Sequence, residues 1–158
     1  ARFRVICADG ADHLERADVR TDVILHDAFV ADGMRGRCTG GTFLDACRAR
    51  LSEAGVLAIN FMDDDPALPQ HLEQLRSAFG SSYALVPCGD DNNFVAFAWK
   101  DGSRLPSLRI LLERALACPL AGELKLAATA RRMKHGESID PRRLVWRAQS
   151  HERWEIGA

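Results

Sequence analysis

Carboxylates stand at three places in this sequence where they could do chemistry. The first is Asp27, at the end of the run TDVILHD. Residues 21–29 predict a strand, and ligands of open α/β sheets bind outside the carboxyl ends of strands. An acid there, followed by a glycine-containing loop, can serve as a general base or hold an amine. Its competing role is that of a turn residue capping its own backbone. The second is Asp9, which with Gly10 forms a turn signal after another apolar run, FRVICA. The third is Asp63-Asp64-Asp65. Clustered carboxylate oxygens suit hard cations, but Asp65-Pro66 has the pattern of a helix cap and first turn, so no metal site is expected. His26 neighbours Asp27, yet strand alternation sends the two side chains to opposite faces. His13, His71, His135 and His151 have no ligand spacing.

The elements that must position these residues alternate in type. Residues 3–8 predict a short strand, residues 11–17 one or two helical turns, and residues 21–29 the central strand. Residues 30–41 hold four glycines and predict a loop. Thr42 predicts a helix start, with Asp45 three residues on as in a capping box. Phe43, Leu44, Cys47 and Leu51 fall on one face, and Gly55 suits the position after the helix. The run VLAINFM at 56–62 reads as a strand covered on both faces. Leu68, Leu72, Leu75 and Phe79 recur at helical spacing up to Gly80. Residues 83–88 and 94–100 read as an antiparallel hairpin around the turn at 89–93.

Strands alternating with helices imply a parallel sheet with helical crossovers, here with an antiparallel terminal member. The fold class is α/β. From Arg104 the β pattern stops. Pro106 predicts a helix with Leu108, Leu111, Leu112 and Leu116 inward; a second is expected from about Leu120 to Met133, and a short third at Asp140-Pro141. The expected organisation is an α/β unit over residues 1–103 with a helical extension over 104–158.

The totals exclude several classes. The 158 residues are 47% hydrophobic with a net charge of −1, enough for a packed core and too balanced for a global field toward nucleic acid. Arg131, Arg132, Lys134, Arg142, Arg143 and Arg147 make the tail mildly basic, with Trp146 and Trp154 the aromatics among them; a solvated helix face is expected. No apolar run is long enough for a membrane span. Five cysteines, odd in number and without a C-x-x-C pair, suit reduced thiols and a cytoplasmic setting.

In order and spacing, these segments resemble the second half of a class I methyltransferase fold, and more narrowly its spermidine synthase-like (polyamine aminopropyltransferase) branch. The residues that carry the resemblance are Asp9-Gly10, then Asp22 to Asp27, then Thr42-Phe43, then the strand from Gly55 to Asn60, and finally NFVAFA at 93–98. It covers roughly residues 3–100 and implies a Rossmann-like sheet. It also implies that Asp9, with Gly10, approaches the nucleoside of S-adenosylmethionine or its decarboxylated form. Asp27 would deprotonate or hold the attacking amine. Val30 stands where members that use diamines carry a second acid, and Asp32 is out of register with it. The family's glycine-rich cofactor loop belongs to the first half of the fold. The glycines at 33–41 do not follow a strand and open a helix as that loop must.

The resemblance therefore implies a transferase moving an aminopropyl or methyl group to a small-molecule amine, with the glycine-rich loop lacking here. The alternative is a non-catalytic binding or oligomerisation module of the same fold. It would pair as a homodimer through an exposed edge strand at residues 3–8.

Overall fold

The computed structural model describes residues 3–16, 18, 20–28, 38, 40–88 and 93–136. The sheet has five strands: β1 (Thr21–His26), β2 (Leu51–Met62), β3 (Tyr83–Pro87), β4 (Asn93–Trp99) and β5 (Lys134–His135), in the spatial order β1-β2-β4-β3-β5. β1 and β2 are parallel, joined through helix α2 (Gly41–Arg50). β4 runs antiparallel to both β2 and β3. This is the expected α/β sheet, Rossmann-like in its parallel part and closed by an antiparallel hairpin. The turn expected at 89–92 lies outside the described residues.

One face of the sheet carries the core. Leu57, Ile59 and Phe61 of β2 and Phe94, Ala96 and Ala98 of β4 point into it. They meet Ala11 of α1 (Gly10–Arg16), Phe43, Leu44 and Cys47 of α2, and Leu68, Leu72, Leu75 and Phe79 of α3 (Leu68–Phe79). The four α3 residues are all buried, as their spacing predicts, and burial of each such side chain contributes about 1.5–3 kcal/mol. Gly80 ends α3 at φ 64°, a left-handed conformation that a side chain would strain. On the opposite face Val23 and Leu25 are exposed, while Ala58, Asn60 and Met62 are half-buried.

Several local expectations are corrected. Residues 3–7 form no strand: a strand exists through its ladder, and no described residue pairs with them. α2 begins at Gly41 behind Gly40, so Thr42 lies inside its first turn and makes no cap. α2 ends at Arg50, and Leu51 turns extended (ψ 142°) and opens β2. Gly55 thus lies within β2, at an irregular stretch where the register passes from Thr21↔Leu51 to Val23↔Val56. Glycine is required there because a Cβ would stand 2.9 Å from the Leu51 Cβ.

In the tail, α4 (Leu108–Ala117) and α5 (Leu126–Arg132) pack on each other, and α5 lies against β3. The second tail helix is shorter than expected. Turns occupy residues 119–125, and Lys125 sits left-handed at φ 50° before α5 starts. β5 is a β element that the tail pattern does not announce; two residues are too few to show periodicity. It is held by the Tyr83 hydroxyl, which donates to the Gly136 carbonyl at 3.3 Å. The helix expected at Asp140-Pro141 and the basic residues beyond it lie outside the described residues.

Candidate active site

Asp27 follows the last residue of β1 and is exposed at the carboxyl end of the strand. Parallel pairing of β1 with β2 brings Asn60 beside it, since His26 is in register with Ile59. Asn60 Nδ2 donates to Asp27 Oδ1 at 3.1 Å. β4 then enters antiparallel, with Met62 opposite Asn93, and places Asn93 on the same face. Asn93 Nδ2 donates to Asn60 Oδ1 at 2.8 Å. A carboxylate and two carboxamides thus form a chain across three strands.

The direction of that chain is fixed by chemistry. An ionised carboxylate only accepts, so Asn60 must present its amide N–H to Asp27 and its carbonyl to Asn93. Asn93 must then donate, which leaves its own Oδ1 buried without a hydrogen-bond partner. The result holds Asp27 in one orientation while leaving it exposed to solvent and ligand.

His26 takes the other face, as alternation predicts. It is 8% exposed and packs on Phe43 with ring centroids 5.2 Å apart. Burial pulls its basicity below the ordinary histidine value, opposed by the nearby backbone of Cys38 and by the Asp27 charge. Neither ring nitrogen completes a hydrogen bond. It is a packed neutral imidazole, and it forms no dyad with Asp27.

Asp9 and Gly10 are brought to the start of α1. Asp9 Oδ1 accepts from the Asp12 backbone N–H at 3.0 Å, and its carbonyl accepts from His13 N at 2.9 Å. Asp9 is therefore a helix cap, the role Asp favours at that position. It is also exposed and lines an open hollow of about 280 Å³ with Ala8, Asp12, His13 and Arg16. Gly10 has room for a side chain: a Cβ would meet Cys38 Sγ at an ordinary 3.7 Å. The hollow is at the small end of ligand sites and supplies one wall of a binding site rather than an enclosure.

Asp65 shapes the entry to α3, accepting from the backbone N–H of Ala67 at 2.8 Å. It is not the cap itself, because the helix starts later, at Leu68 with a proline in its first turn. Its Oδ2 lies 3.6 Å from His71 Nε2, and His71 stacks on Phe61. Among the described residues no three His, Cys, Asp or Glu side chains are grouped to hold a metal ion. Val30, Asp32 and Gly33 lie outside the described residues.

Asn93 is the site residue that the sequence pattern does not single out. The available signal was the hairpin: antiparallel return of β4 beside β2 puts its first residue level with the end of β2.

The sequence is similar to that of curated polyamine aminopropyltransferases. It is 27% identical over 114 residues to those of Neisseria meningitidis serogroup A strain Z2491 and serogroup B strain MC58. It is 29% identical over 115 residues to that of Chromobacterium violaceum. Each alignment takes in 72% of this chain and 43% of the relative, so the chain spans less than half the length of these proteins. No family model matches the chain.

Proposed function

We propose that this chain carries the amine-side half of a spermidine synthase-like transferase site, with Asp27 as the residue that meets the nucleophile. The observation that carries the reading is the Asn93–Asn60–Asp27 chain, which aims one exposed carboxylate from the carboxyl end of a parallel strand. The similarity to aminopropyltransferases supports the same reaction class.

A bound decarboxylated S-adenosylmethionine would supply an electrophilic carbon next to a sulfonium, with a neutral thioether as leaving group. Asp9, with the hollow beside it, fits one edge of its nucleoside, since a carboxylate can accept from an exocyclic amine. Asp27 would hold the acceptor amine by an N–H and take its proton as the nitrogen lone pair forms the new bond to carbon. Asn60 would keep the carboxylate from rotating away. One carboxylate serves one nitrogen, so a monoamine that attacks as its neutral base is the acceptor class that Asp27 by itself fits. Five free thiols suit a reducing compartment, and no helix among the described residues is long and apolar enough to cross a membrane.

Calorimetric titration tests this, using methylthioadenosine, decarboxylated S-adenosylmethionine and n-butylamine on the wild-type chain and on Asp9→Ala and Asp27→Asn. Nucleoside binding lost in Asp9→Ala and amine binding lost in Asp27→Asn is the expected pattern. The absence of any binding at millimolar ligand would refute a ligand site in this chain. That outcome would favour the second reading, a non-catalytic assembly module.

A further inference from the structure

His26 and Asp27 are consecutive, and the end of β1 sends them to opposite sides of the sheet. Asp27 is exposed and held by Asn60. His26 is buried against Phe43, and neither ring nitrogen has a hydrogen-bond partner. An imidazolium fits that space badly, because it brings a charge and a second N–H donor where nothing accepts. The titratable groups around the ring give it no relief. The Cys38 and Cys47 thiols lie in the same core, from the segment before α2 and from α2 itself. Asp45 and Arg48 of α2 and Glu15 of α1 are exposed, and Arg50 donates to the carbonyls of Leu14 and Glu15. Asp12, His13 and Arg16 of α1 line the hollow beside Asp9, and β2 places the apolar Ile59 in register with the ring. The charge that acts on His26 is that of its neighbour Asp27.

We propose that His26 is a pH-sensitive switch on the hydrogen bond between Asn60 and Asp27, which is intact while the imidazole is neutral and breaks when the ring takes up a proton. An imidazolium in this place can reach an acceptor in two ways. The ring swings past the end of β1 into solvent, or the Asp27 carboxylate turns back to accept from it. Both turn the chain about residues 26–27, and both take Asp27 away from Asn60. Burial holds the imidazole neutral at neutral pH, so the switch lies in the acid range, below the ordinary histidine value of 6.5. Its consequence for chemistry rests on the function proposed above: in acid the carboxylate loses its aim at the amine. The switch itself is a property of the hydrogen bond and does not depend on that function.

Proton–nitrogen NMR of the 158-residue chain between pH 8 and pH 5 tests the proposal. It follows the Asn60 side-chain amide and the His26 ring in wild type, His26→Leu and Asp27→Asn. The Asn60 resonances should shift with the same midpoint as the His26 ring, and this step should be absent from His26→Leu. Asp27 is exposed, so Asp27→Asn keeps its fold whether or not the histidine variant does. Removing the Asp27 charge takes away an attraction that favours the imidazolium, so the His26 midpoint should move to lower pH in that variant. A ring that titrates while the Asn60 resonances stay still overturns the proposal. So does an Asn60 step that survives in His26→Leu, or a His26 midpoint unmoved in Asp27→Asn. A ring that stays neutral until the whole chain unfolds overturns it too. No arm of this experiment contains an amine, so its outcome is separate from that of the amine titration.

Discussion

Asn60 donates from Nδ2 to Asp27 Oδ1 at 3.1 Å, linking the carboxyl ends of two parallel strands. Asn93 occupies the other end of the Asn60 amide, donating to its Oδ1 at 2.8 Å. The Asn60–Asn93 bond is half-buried, whereas Asp27 is exposed. Their energetic coupling should therefore differ. A double-mutant cycle of Asn60→Ala with Asn93→Ala, followed by urea denaturation, should give a coupling of about 1 kcal/mol. The cycle of Asn60→Ala with Asp27→Ala should give less than about half of that, because solvent competes for the carboxylate. Equal couplings would mean that the chain is not organised around its buried amide pair.

His26 should make stability depend on pH. Its folded-state pKa lies below the unfolded value because burial penalises the imidazolium. The unfolded chain therefore binds more protons, and stability rises with pH through the range just below about 6.5. As pH falls through that range the contribution is lost. Replacing His26 by Leu keeps the contact with Phe43 and removes the titration. Urea unfolding at a series of pH values between 5 and 8 should show a shallower slope for His26→Leu than for wild type below neutrality. Parallel curves would show that another group carries the dependence.

What the sequence made legible was whatever had enough periods to be read. α3 shows through Leu68, Leu72, Leu75 and Phe79, and the β3–β4 hairpin through two apolar runs flanking a polar turn. Asp27 was legible as a strand-end acid because the strand before it was. The failures have physical causes. Residues 3–7 have strand-like composition, but composition cannot supply a neighbour to pair with. Thr42 looks like a cap, yet Gly40 already adopts the extended cap conformation at ψ 165° and the helix starts ahead of Thr42. Asn93 joins the site only through sheet order, which places β4 rather than β3 beside β2.

Gly55 should be intolerant of even one methyl group. An added Cβ would stand 2.9 Å from Leu51 Cβ and 3.0 Å from the Ser52 backbone nitrogen, and Leu51 is fully buried. A backbone atom cannot rotate away, so Gly55→Ala should cost about 1–3 kcal/mol through forced shifts at the start of β2. Gly122→Ala is the control. Nothing lies within 4 Å of its Cβ position, and its effect should stay within about 0.5 kcal/mol. Thermal denaturation of the two variants separates the cases; a neutral Gly55→Ala would place Leu51 elsewhere than against this glycine.

The cysteines should differ sharply in reactivity. Cys7 is exposed on the segment ahead of α1, while Cys47 is fully buried in the core beside Phe43 and Leu44. Burial, reinforced by the nearby Cys38, pushes the Cys47 thiol up to about 12. Thiolate is the reactive form, so at pH 8 Cys47 presents almost none of it and no surface to attack. Iodoacetamide labelling of the native protein, read by peptide mass spectrometry, should modify Cys7 within minutes and leave Cys47 unmodified until denaturant is added. Labelling of native Cys47 at a comparable rate would contradict its place in the core.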